Sequence, residues 1–139
     1  MSWKQTLWFV GLWGLTAQAV CVNGHLSVES EFRSSKTVVI AKVIASEKVP
    51  ASQDGYFLEG TVYHVDVLKH FKGDNSSSLV IFSENSSGRF DMVLDDTYLL
   101  FIHEEDGRLS VDNCGNSGSA VKRAATIEQV TKLSHPKAT

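Results

Sequence analysis

Phe57 to Phe71 reads FLEGTVYHVDVLKHF, and the alternation within it decides the fold. Tyr63, Val65 and Val67 fall on one face and His64 and Asp66 on the other, the period of two that a strand buried on one side requires. The run is long for a strand, long enough to bend around a barrel. Upstream, Thr37 to Glu47 is β-branched and apolar (Val38, Val39, Ile40, Val43, Ile44) and ends before Pro50 and the turn-forming Ser52 to Gly55, so it reads as a second strand. Downstream, Gly73-Asp74-Asn75 and three serines make a turn. Leu79 to Phe82 is then a short strand before an Asn/Ser/Gly-rich loop from Glu84 to Gly88. Thr97 to His103 and Leu109 to Val111 are two more, joined through Glu104-Glu105-Asp106-Gly107, whose Asp-Gly pair signals a hairpin.

Helices flank these five strands. Val22 to Ser35 carries Val28 and Phe32 at helical spacing with Ser27 as an N-cap, which predicts one or two turns. Near the C-terminus Thr126 and Gln129 fit a capping box, and Ile127, Val130 and Leu133 form an apolar stripe that stops before Pro136. The expected architecture is mainly β, a five-stranded OB-like Greek-key barrel with a short N-terminal helix and a C-terminal helix, in preference to a seven-strand sandwich. Val39, Val65, Val67, Leu100 and Phe101 are the residues expected to reach the barrel interior.

The N-terminal segment sets the compartment. Lys4 is a basic start, Leu7 to Leu15 an apolar core, and Ala17-Gln18-Ala19 the small residues that a signal peptidase reads. The run is too short for a membrane span, which needs about twenty apolar residues. The reading is therefore a signal peptide over 1–19 and one domain over 20–139, secreted or periplasmic; a retained amphipathic helix is the other reading. Removing Lys4 takes the formal net charge from −3 to −4 with His neutral. A mildly acidic chain with no Lys/Arg run does not suit nucleic acid or an anionic membrane surface. Only two cysteines occur, and in an exported chain Cys21 and Cys114 are expected to bond to each other.

Side chains that carry chemistry elsewhere are present without the company they need. His64, Asp66 and His70 share a strand face, but a polar outer edge explains them equally well, so no metal is assigned. Gly115-Asn116-Ser117-Gly118 has the look of a serine-nucleophile turn with no base or orienting acid beside it. The acid pairs Asp95-Asp96 and Glu104-Glu105-Asp106 lack the regular oxygen spacing of a calcium loop. Tyr56, Phe57, Phe71, Phe82, Phe90, Tyr98 and Phe101 read as core packing, not as stacking platforms for bases, given the acidic balance. Asn75-Ser76-Ser77 and Asn85-Ser86-Ser87 fit the glycosylation pattern. The expectation is a non-enzymatic protein without a cofactor.

Taken together, Ser35 to Val49 (SKTVVIAKVIASEKV), His70-Phe71-Lys72-Gly73, Thr97-Tyr98-Leu99-Leu100-Phe101, Gly107-Arg108-Leu109 and the closing Cys114 resemble, in order and spacing, the netrin-like module of tissue inhibitors of metalloproteinases and their bacterial relatives. The resemblance spans about Cys21 to Asn116. It implies a partner that is another exported protein, and a metalloproteinase if the chain acts in the family's own manner. There the mature N-terminus begins Cys-x-Cys, and the amine and carbonyl of the first Cys chelate the protease's zinc. Cys21 matches the third-position Cys, whose bridge runs to the Cys that Cys114 resembles; Ala19 stands where the chelating Cys belongs, and the family's second bridge has no counterpart. The binding ridge that the resemblance implies falls on Val22, Asn23, Gly24, Asn113, Gly115, Asn116 and Ser117, brought together by the bridge and rich in main-chain and amide groups able to grip an extended segment.

Overall fold

A computed structural model describes residues 21, 24–54 and 57–136; residues 1–19, read from the sequence as a signal peptide, lie outside these. Helix α1 (Val28–Ser34) leads into strands β1 (Thr37–Pro50), β2 (Leu58–Lys72), β3 (Ser78–Glu84), β4 (Thr97–Glu105) and β5 (Arg108–Val111). A two-residue strand β6 (Gly118–Ser119) and helix α2 (Ala124–Ser134) follow. The sheet order is β1-β2-β3-β5-β4-β6, and an additional β1–β4 pairing makes β1 a shared edge, so the five main strands close into a barrel-like ring. All pairings are antiparallel except β3 with β5, which meet in parallel at the single bridge Ile81 to Leu109.

Closure depends on β1. Its residues 37–42 pair with β4 on one side, and the strand pairs with β2 along its whole length on the other, with irregularities between Val38 and Val39, Ile40 and Ala41, and Val43 and Ala45. Such bulges add a local bend and twist that a closing sheet needs. The turn between β4 and β5 has Asp106 at φ 52° and Gly107 at φ 77°, with Glu105 paired to Arg108. Two central residues in the left-handed region define the type I′ hairpin that the Asp-Gly pair predicts.

The ring has two apolar faces. Val39, Ala41, Val43, Tyr63, Val65, Ile81, Met92, Tyr98, Leu100, Ile102 and Val111 fill the interior, with Val67 and Leu79 partly buried against them. On the outside, Val38, Leu99, Phe101 and Phe71 pack with Val130, Ile127, Val28 and Phe32 beneath the two helices. Of the residues expected inside, Phe101 is the exception: it is fully buried, but on the outer face. In β4 every residue from Tyr98 to Ile102 is buried, and alternation sends Phe101 to the helix side while Leu100 points inward.

Ser27 caps α1 by accepting from the Ser30 amide at 3.1 Å, as its sequence suggests. The Lys72 ammonium donates to the carbonyls of Phe32 and Arg33 at 2.8 Å each, satisfying orphan acceptors at the other end of that helix. The capping-box reading of α2 is corrected. The helix starts at Ala124, with Arg123 at the cap position and no side-chain cap bond. The Ala120–Arg123 turn already supplies the entry: the Arg123 amide donates to Ser119 O and the Ile127 amide to Arg123 O. Thr126 thus falls inside the first turn. No described helix is long and apolar enough to cross a membrane.

Candidate functional site

The corner that joins the N-terminal segment to the loop after β5 is held by three devices. Cys21 and Cys114 are bonded, with their Cα atoms 5.6 Å apart although they stand 93 positions apart in sequence. Beneath the bridge, Glu31 of α1 is completely buried, and its Oε2 accepts from both the Asn116 main-chain amide and Asn116 Nδ2 at 2.7 Å. Asn116 Nδ2 also donates to Leu26 O at 3.0 Å, which fixes the chain just ahead of α1. Third, the Ser117 hydroxyl accepts from the Phe101 amide at 2.8 Å, stitching the same loop to β4.

The local sequence explains the loop. Asp112 Oδ1 accepts from the Cys114 amide at 2.8 Å and Asp112 O from the Gly115 amide at 3.1 Å, an Asp-led turn at the end of β5. Gly115 is required at its position because a Cβ there would collide with the Glu31 carboxylate. Glu31 Oε1, on the side facing Gly115, has no hydrogen-bond partner among the described residues. A buried carboxylate with one oxygen accepting two hydrogen bonds and the other none is held in place by the structure around it, since burying an unpaired polar atom is unfavourable.

The seven residues expected to form a binding edge are therefore placed as follows. Val22 and Asn23 lie outside the described residues. Gly24 and Asn113 are exposed. Gly115 and Ser117 are buried, and the Asn116 amide is directed inward to Glu31 and Leu26. The loop is brought to the N-terminal segment, and most of its amide groups are spent holding the corner together. Glu31 is the residue that sequence reasoning missed. Its one signal is Gly115-Asn116 directly after Cys114, a glycine where a neighbour approaches closely.

Among the described residues no group of three or more His, Cys, Asp or Glu side chains gathers as a metal site. His64 and Asp66 lie on the outer face of β2, with Asp66 exposed, and the buried His70 Nδ1 has no hydrogen-bond partner. Glu104 pairs with Lys36. Asp95 and Asp96 instead hold the loop before β4 to Val43 through main-chain bonds. Among the aromatics, Tyr56 lies outside the described residues, and Phe71, Tyr98 and Phe101 are buried. Phe57, by contrast, is 72% exposed, so core packing fails for it because it sits in the turn before β2. Phe82 is also outside the core: it points outward from β3, with the Arg108 guanidinium 4.4 Å from its ring centroid. No protein-family model matches the chain, and no curated protein matches it either.

Proposed function

We propose that the chain is an exported, non-enzymatic protein-binding module of netrin-like type, and that its partner is another exported protein. One observation supports this above the others. A disulfide and a buried carboxylate lock the N-terminal segment, α1 and the loop after β5 into one corner at the edge of a closed barrel, with Gly24 and Asn113 left exposed at its rim. A binding edge that is rigid before it meets its partner loses little conformational entropy on association. The exposed part of the edge, Gly24 with Asn113, carries the contact; Gly115, Asn116 and Ser117 support it from below.

A photo-crosslinking residue placed at Asn113 in the native producing cell tests this, with the same residue at exposed Lys69 as the control. A discrete adduct from position 113 and none from position 69 is the expected result. Adducts of equal yield from both, or from neither, overturn the reading. Inhibition in the family's manner would require the Cys21 amine to be free, so N-terminal sequencing of the exported protein and a panel of zinc metalloproteinases separate that activity from plain partner binding. Inhibition that acetylation of the N-terminus destroys would replace the binding-module reading with the inhibitor one.

A further inference from the structure

Away from that corner the barrel wall carries a second surface whose chemistry is more specific. The outward faces of β2, β3 and β5 frame a groove of about 450 Å³ lined by Val49, Val62, Val80 and Phe82, with Leu79 and Leu109, which pack against the interior, reached at its base. Its floor is fixed. Val62 and Phe82 are a directly opposed cross-strand pair, and a Cβ on Gly60 would strike the edge of the Phe82 ring, so that ring edge packs where only glycine leaves room. The Arg108 guanidinium lies over the ring and is itself anchored to Glu59 at 2.9 Å. Val80 stays 51% exposed in the middle of this surface.

Directly beyond Phe82 and Arg108 a second cavity, of about 500 Å³, is lined by Glu84, Glu105, Asp106 and Ser110. Among the described residues Glu84, Glu105 and Asp106 form no ion pair, and the one cation present, Arg108, is already engaged by Glu59. Glu47, opposite Val62 on β1, adds a further acid to the rim, and His64, opposite Val80, is the remaining titratable neighbour. An apolar slot thus opens onto a lip where acids outnumber cations. The sheet there is also thin, since β3 and β5 share a single bridge.

We propose that this groove docks an extended, cationic segment of a partner protein. An aliphatic side chain enters between Val62, Val80 and Leu109, and a Lys or Arg two residues further on reaches Glu84, Glu105 and Asp106. In an extended chain those two side chains point the same way about 6.6 Å apart, which lets one strand serve two adjoining cavities. The positive charge complements the lip and governs selectivity and encounter rate, while the aliphatic contact supplies the apolar burial. The site is separate from the disulfide corner: neither Gly24 nor Asn113 lines either cavity, so one surface can fail while the other stands.

The test titrates the isotopically labelled full-length protein with the blocked peptide Ser-Leu-Ser-Lys-Ser, which carries the aliphatic and the cationic side chain two residues apart, and, separately, with Ser-Leu-Ser-Glu-Ser, following amide shifts by NMR. Shifts confined to the neighbourhood of Val62, Val80, Phe82, Glu105 and Arg108 are expected for the basic peptide. The acidic peptide should bind at least about tenfold more weakly, and added salt should weaken the basic one. Val80→Glu should abolish the response, and Glu84→Lys with Glu105→Lys should lower affinity about tenfold or more, all with unchanged melting temperature because these side chains are exposed. The charge reversals remain informative if Val80→Glu disturbs folding. Equal response to both peptides, shifts scattered over the surface, no response up to about 5 mM peptide, or shifts at the same residues that appear on raising protein concentration alone, which would make a second copy the occupant, each overturn the proposal.

Discussion

Glu31 connects two segments that are remote in sequence, and its burial makes single substitutions there informative. Glu31→Ala leaves the Asn116 main-chain amide without its acceptor and Asn116 Nδ2 with Leu26 O alone, so stability should fall by about 2 to 3 kcal/mol in denaturant titrations with the disulfide intact. Gly115→Ala should cost about 1 to 3 kcal/mol, because the new methyl group meets the carboxylate. Combining the two should cost clearly less than their sum, since removing the Glu31 carboxylate makes room for the Gly115 methyl. A fully additive pair would mean that the two residues do not meet. None of this was visible in VESEFRS, where Glu31 looks like Glu29, an ordinary helix-surface acid paired with Arg33. Burial of Glu31 follows from partners 85 positions away, which no local pattern encodes.

At the level of elements the chain is far more legible. Each of the five expected strands is present, extended by between one and three residues at most ends, and the hairpin that Asp-Gly signals is present. Alternation and β-branching are local signals with a fixed period, so they survive in any context. What they could not supply is the partner of each face. The continuous run from Tyr98 to Ile102 marks a strand buried on both sides but does not say which side meets helices, and β6, only two residues long, has no period to read. The helix-covered face yields its own test. Val130 is completely buried on α2 against Leu99 and Phe101. Val130→Ala should therefore cost about 2 kcal/mol, and Phe101→Ala about 3 to 5 kcal/mol, despite both lying outside the barrel. A change under about 0.5 kcal/mol at both sites would mean that the helices merely rest on the sheet.

For the molecule as a whole, the bridge is the dominant long-range constraint. Replacing both Cys21 and Cys114 with Ser should lower stability by about 4 kcal/mol in the chain-entropy picture, read as a drop in melting temperature that reductant reproduces in the unmodified protein. The pairing itself was legible from there being two cysteines, with the N-terminal run read as an export signal, whereas the carboxylate clamp under it was not. The bridge also sets how the protein carries load. Tension applied at the two ends passes from Cys21 to Cys114 through the sulfur atoms and never reaches β1 to β5, because all five strands lie within the 93-position span that the bond closes. Only β6 and α2 stand in the line of force. Pulled in an optical trap, the oxidised protein should therefore release just its C-terminal tail. Adding reductant should uncover about 300 Å of further contour length, the reach of the chain now shielded inside the ring. A tether that lengthens fully without reductant would show that the bond is not closed in the working protein.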